Sequence, residues 1–193
     1  MPILTFKPKI ITRQLVSSLK DRTRDIIIQR YGLAENAEKK TLEAIGDKYG
    51  ITRERIRQIT NFAFNLMKES QAFESAKDIF SELKDNIERK GKILSEKDIL
   101  VHLAGNDPLA QNHIYFLLVL GDEFTKLKED EEFHHRWTTH MDHADKVHQA
   151  LKALHSGISE NDLISEKDII ATLKKHIEKI VEEKIDEEMA KVW

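Results

Sequence analysis

Apolar residues recur at three- and four-residue spacing along most of this chain, and breakers are few, with 7 glycines and 3 prolines in 193 residues. That period belongs to α-helix, so the pattern predicts a mainly α protein. Over the first 70 residues it predicts helices near 9–18, 21–31, 42–49 and 52–69. Gly32 and Gly50 stand where the second and third should end, because glycine accepts the left-handed conformation that stops a helix. Thr41 and Thr52 stand at N-cap positions, and Glu54 in the first turn of the fourth helix suits the positive end of its dipole. A short helix, a tight turn and a longer helix predict a helix-turn-helix.

The stretch ITRERIRQI, residues 51–59, has two faces. At about 100° per residue, Arg53, Glu54, Arg57 and Gln58 fall within an arc of roughly 140°, while Ile56, Ile59, Ala63 and Leu66 share the opposite side. One side is expected to be buried and the other presented. The presented groups can read base edges in a major groove: arginine donates twice to guanine, glutamine pairs with adenine and glutamate accepts from cytosine. Periodicity alone leaves open whether this is a recognition surface or an ordinary solvated face.

Beyond residue 70 the segments ILSEKDILVHL (93–103) and LISEKDIIATL (163–173) echo each other 70 positions apart. Ser95 with Asp98 and Ser165 with Asp168 have the spacing of a helix-starting capping box. Amphipathic stretches at 73–90 and 142–155 precede the two copies, which predicts a repeated module. The first copy continues with a helix from Pro108 to Leu120, then with two short alternating runs around an acidic turn in FTKLKEDEEFHHRWT, a predicted β-hairpin. Three helices and a hairpin make a winged helix. Its third helix carries YFLLVL and no lysine or arginine, which favours protein binding or core packing over a DNA groove. The second copy stops at Trp193, one residue short of where its first wing strand would begin. Either it is a helical fragment, or the chain is cut from a longer one. Such a fragment is expected to leave the apolar stripe Ile177, Ile180, Val181 and Ile185 exposed.

Two family resemblances sharpen these readings. RTRDIIIQRYGL (22–33) followed by TLEAIGDKYGITRERIRQI (41–59) closely resembles the fourth conserved region of housekeeping-type bacterial sigma factors. That resemblance covers roughly the first 70 residues and implies recognition of the upstream (−35) promoter element in double-stranded DNA, with docking on the β flap of RNA polymerase. By matching positions it implies Arg53, Glu54, Arg57 and Gln58 as base readers, and Thr41, Leu42, Thr52 and Arg55 as contacts to the DNA backbone. The chain departs from the family at Thr60, commonly Glu there, and in the less basic NFAFNLMKES that follows, which implies weaker phosphate binding. No stretch resembles the sigma region that melts DNA, so a complete sigma factor is not expected. The run IYFLLVLGDEFTKLKEDEEFHHRW resembles the winged helix of the RNA polymerase delta subunit and its HARE-HTH relatives, over about 73–140.

The expected organisation is therefore a four-helix helix-turn-helix domain over 1–70, a winged helix over 71–140, and a helical partial copy over 141–193. Charge agrees with that division. Lys and Arg outnumber Asp and Glu 14 to 8 up to residue 70 and are outnumbered 17 to 26 after it, for a net −3. A basic head suits a polyanion and an acidic body does not. There is no cysteine, hence no disulfide scaffold or cysteine-rich zinc site. No apolar run is long enough to span a membrane, so a cytoplasmic protein is expected.

Six histidines lie from His134 to His155, and His140 with His143, near Asp142 and Asp145, have helical spacing for a metal. With no ordered third ligand, chance clustering on a hydrated surface explains them as well, and neither metal nor cofactor is expected. No nucleophile elbow, phosphate loop or carboxylate pair occurs in a recognisable frame, so no enzyme is expected. The sequence thus points to a DNA-binding transcription factor of the bacterial polymerase system, with a protein partner for its acidic body. The alternative is a polymerase adaptor, anti-sigma-like, that docks on the flap without reading DNA.

Overall fold

A computed structural model of the chain describes residues 4–157, 165–181 and 185–193. The described elements run α1 (Pro8–Ser17), α2 (Asp21–Tyr31), α3 (Leu42–Tyr49), α4 (Arg53–Lys68), α5 (Gln71–Glu74), α6 (Lys77–Lys90), β1 (Ile93–Ser95), α7 (Glu96–Ala104), α8 (Pro108–Leu120), β2 (Thr125–Leu127), β3 (Arg136–Thr138), α9 (Met141–Ser156), α10 (Glu166–Val181) and α11 (Glu187–Lys191). The protein is mainly α, with a helix-turn-helix followed by elements in winged-helix order. None of the described helices is long and apolar enough to cross a membrane. Two compact units divide the chain: the first runs to Leu83 and takes in Leu100–Asp122, and the second combines Lys84–Ile99 with Glu123–Trp193.

In the first unit, Ile26 of α2, Ile45 of α3 and Ile56 of α4 form a small core, with Leu42, Tyr49, Ile51 and Ile59 packed around it. Asp25 ties α2 to α3. It accepts from the Tyr49 hydroxyl, from Lys48 Nζ at 2.9 Å and from Gln29 at 2.5 Å. Burial pushes its carboxyl up, but these three donors outweigh burial and hold it below the usual aspartate value. The turn between α3 and α4 depends on two glycines. Gly50 takes φ +63°, as expected of a helix stop, and at Gly46 a Cβ would meet the Ile51 carbonyl oxygen at 2.6 Å. No side chain fits at Gly46 unless the backbone shifts.

α8 completes this unit. Its residues Ile114, Phe116, Leu117, Leu118 and Leu120 are fully buried, and it packs against α1 and α2. Phe116 meets Tyr31 edge-on at 5.3 Å and Phe64 of α4 at 5.8 Å between ring centres. Asn112 Nδ2 donates to the carbonyls of Gly32 (3.0 Å) and Ala37 (2.9 Å), so a buried amide closes the loop after α2. The third helix of the winged order is thus core.

His113 on the same helix is 1% exposed, and neither ring nitrogen has a hydrogen-bond partner. Burial, reinforced by Lys9 and Arg13, depresses it from 6.5 to about 4. Between those values the unfolded chain binds a proton that the folded protein refuses, so acidification from pH 6.5 towards 4 favours unfolding. His113→Leu removes the difference. Urea denaturation at pH 7 and pH 4.5 should therefore show a smaller acid-induced loss of stability in the variant than in the wild type; equal losses would contradict this assignment.

In the second unit the three strands are antiparallel in the order β1-β3-β2, with Leu94 and Lys126 flanking Trp137. β1 is an addition to the sequence reading, which placed only a helix start there. Ser95 both ends the strand and caps α7: its Oγ accepts from Asp98 N at 3.0 Å and donates to Asp98 Oδ2 at 2.5 Å. Ser165 and Asp168 repeat these bonds at 3.2 and 2.6 Å before α10, while Leu163 and Ile164 lie outside the described residues.

One expectation about this unit is overturned. Ile177 and Ile185 are buried, with Ile180 packed beside them, in a core shared with Ala144, Val147 and Ala150 of α9 and with Ile170 and Leu173. The stripe is covered within the chain because α9 and α10 pair along their apolar faces; the Val181 side chain lies outside the description. The suspected metal pair is also separated in role. His140 bonds Glu88 at 2.9 Å, whereas His143 is buried, 5.7 Å from the Trp193 ring.

Candidate nucleic-acid interface

α4 begins where its sequence says it should. Thr52 Oγ1 accepts from Arg55 N at 3.1 Å and Thr41 Oγ1 accepts from Ala44 N at 3.1 Å, so each threonine caps the helix it precedes. Both helix starts lie at the surface, since Thr41, Thr52 and Arg55 are exposed. A helix N-terminus offers free N–H groups and a positive dipole end, both suited to phosphate. Leu42 is different: it is half-buried against the small core. Thr52→Ala should lower stability by about 1 kcal/mol, read as a shifted urea midpoint with unchanged slope; an unshifted midpoint would show that the cap contributes nothing.

Arg53, Glu54, Arg57 and Gln58 are all exposed, while Ile56, Ala63 and Met67 on the far side have no exposure at all. The polar groups form a chain along the surface. Glu54 receives two parallel bonds from Arg57, both 2.8 Å, and a third from Gln58 at 3.3 Å. Gln58 in turn accepts from Arg55 Nη1 at 3.2 Å. The Arg57 hydrogen bond is the main reason the Glu54 carboxyl lies below the usual glutamate range. Arg53 makes no hydrogen bond or ion pair among the described residues, leaving its five N–H donors available. A surface ion pair of this kind is worth little in water, so a base edge can compete for Arg57 and Gln58 at small cost.

The sequence misplaced the edge of the buried side. Leu66 is 37% exposed and Phe62 60%, whereas Thr60 and Met67 are buried. Thr60 satisfies its hydroxyl by donating to the Ile56 carbonyl at 2.9 Å. Phe62 follows Gln58 by one turn, so the presented face carries an aromatic ring next to the amide. The helical wheel contained that signal, because Phe62 falls between Gln58 and Arg55 on it.

An exposed hydrogen-bonding face on the second helix, with both helix starts capped and open, defines a helix-turn-helix of the groove-reading class. Residues 15–69 match the sequence model of the family described as sigma-70, region 4. The same stretch is similar to known sigma factors: 54% identity over 44 residues to RNA polymerase sigma factor RpoS of Coxiella burnetii, and 46% over 54 residues to the principal sigma factor HrdD of Streptomyces griseus. Sigma factor SigA1 of Synechococcus elongatus is 51% identical over 45 residues. These matches cover 23%, 28% and 23% of this chain, and only 12%, 16% and 11% of the relatives. No solved structure matches the chain significantly.

Proposed function

We propose that the protein is a DNA-binding transcription factor acting with bacterial RNA polymerase. In this reading the first 70 residues recognise promoter-like duplex DNA through the major groove. Arg53, Glu54, Arg57 and Gln58 read base edges, and Thr41, Thr52 and Arg55 hold the phosphate backbone, with Leu42 setting the backbone of α3 beside it. The observation that carries the reading is the exposure of all four base-reading candidates on one face of a helix whose opposite side is fully buried. The relatives' naming as RNA polymerase sigma factors supports polymerase as the partner and its β flap as the docking point. The excess of cations up to residue 70 supplies the salt-dependent, sequence-independent share of affinity. The acidic remainder, which we read as a delta-like winged helix with a partial second copy, is assigned to a protein partner rather than to DNA. No covalent chemistry is required of any residue.

Selection of duplexes from a random pool, with and without core polymerase, tests this. Enrichment of one short motif, strengthened by polymerase, is the expected outcome. If no duplex is enriched while a β-flap peptide still captures the protein, the DNA-reading role is refuted in favour of an adaptor.

A further inference from the structure

The second unit contains a cavity of about 480 Å³ between the hairpin loop and the C-terminal half of α9, closed on one side by Trp193. A cavity of about 150 Å³ already admits a benzene ring, and small-molecule sites are typically about 300–1,000 Å³. Phe133, Leu151, Leu154 and Trp193 supply apolar wall, and Arg136 and Lys152 supply charge. Lys152 is committed to Glu132, while the exposed Glu131 and His155 lie at the lining's edge.

Arg136 is the anomaly. Its guanidinium lies 4.4 Å from the centre of the Phe133 ring, and Nη2 donates to the Trp193 main-chain oxygen at 3.1 Å. Nη1 is buried with no hydrogen-bond partner. Among the described residues no carboxylate lies within ion-pair distance of it. Burial holds the group below the usual arginine value, against a weak opposing pull from Asp130, yet arginine stays charged in water at any ordinary pH. A desolvated cation without an anion is a cost that folded proteins seldom carry without a compensating partner. Phe133 fixes the ring beside it by stacking on His148 at 4.3 Å, so wall and cation are held together.

The geometry points to a binding site for a small organic carboxylate with a flat apolar body, its carboxylate on Arg136 and its ring among Phe133, Leu151, Leu154 and Trp193. The planar guanidinium fork matches a carboxylate, and the wall selects against a bare inorganic anion. The site is independent of DNA reading by α4.

Calorimetric titration of the full chain with phenylacetate, phenylacetamide, acetate and inorganic phosphate tests this. Phenylacetate should bind saturably at one site, and the three other probes at least tenfold more weakly. Arg136→Gln should reduce phenylacetate affinity at least tenfold. Leu154→Trp, which fills the cavity and leaves the guanidinium in place, should do the same, and circular dichroism checks that both variants fold. If Arg136→Gln fails to fold, the Leu154→Trp result together with the amide comparison decides. Unsaturable heats, equal binding of the amide or of phosphate, or undiminished binding by the folded variants would overturn the assignment.

Discussion

Arg53→Ala is expected to weaken binding to the preferred duplex by about 1–3 kcal/mol, roughly 5- to 150-fold, while leaving binding to unrelated duplexes nearly unchanged. The reason is that Arg53 is exposed and makes no hydrogen bond or ion pair among the described residues, so its donors are free to take a base edge. Gln58→Ala should also relax sequence preference. Arg55→Ala should instead lower affinity for all duplexes alike and reduce the salt slope by about one, as befits a phosphate contact. Because Arg55 donates to Gln58 at 3.2 Å, the double variant of these two should depart from additivity. Mobility-shift titrations across a duplex library at fixed salt measure all of this. Unchanged preference in all three single variants would remove α4 as a reader.

Phe116→Ala should destabilise the first unit by about 3–5 kcal/mol, read as a lowered urea midpoint. The ring is fully buried and touches Tyr31 of α2 and Phe64 of α4 at once. Its removal leaves a cavity lined by aromatic rings whose positions are constrained by helices on three sides, so collapse into the space is limited. The position lies outside the matched 15–69 segment, and the prediction therefore says that the DNA-reading helices depend on a helix some 50 residues downstream for stability. A midpoint that barely moves would mean that α8 is a passenger on the head.

The contrast between α4 and α8 shows how far local pattern reaches. Thr41, Thr52 and Gly50 work within a few residues of themselves, and each was legible because a cap or a left-handed stop is decided by the backbone next to it. The boundaries of α2, α3 and α8, and the outward placement of Arg53, Glu54, Arg57 and Gln58, were legible for the same reason. Leu66 was assigned to the wrong side because a wheel locates an apolar arc but not its limits. Which residue at the edge is buried depends on what packs there, and here Thr60 and Met67 take that place. The base-reading roles themselves came through family resemblance, since a solvated face and a recognition face have the same period.

By itself, then, the sequence determined the helices, their caps and which side of α4 faces out, all of them consequences of interactions spanning a few residues. Tertiary structure alone decided that α8 joins α1 and α2, that Ile177 and Ile185 are covered by α9, that a three-residue strand pairs at Ile93–Ser95, and that Arg136 lies beside an apolar cavity. Each of these depends on surfaces distant in the chain meeting, and the free energy that selects such a meeting is shared burial, which no single segment encodes.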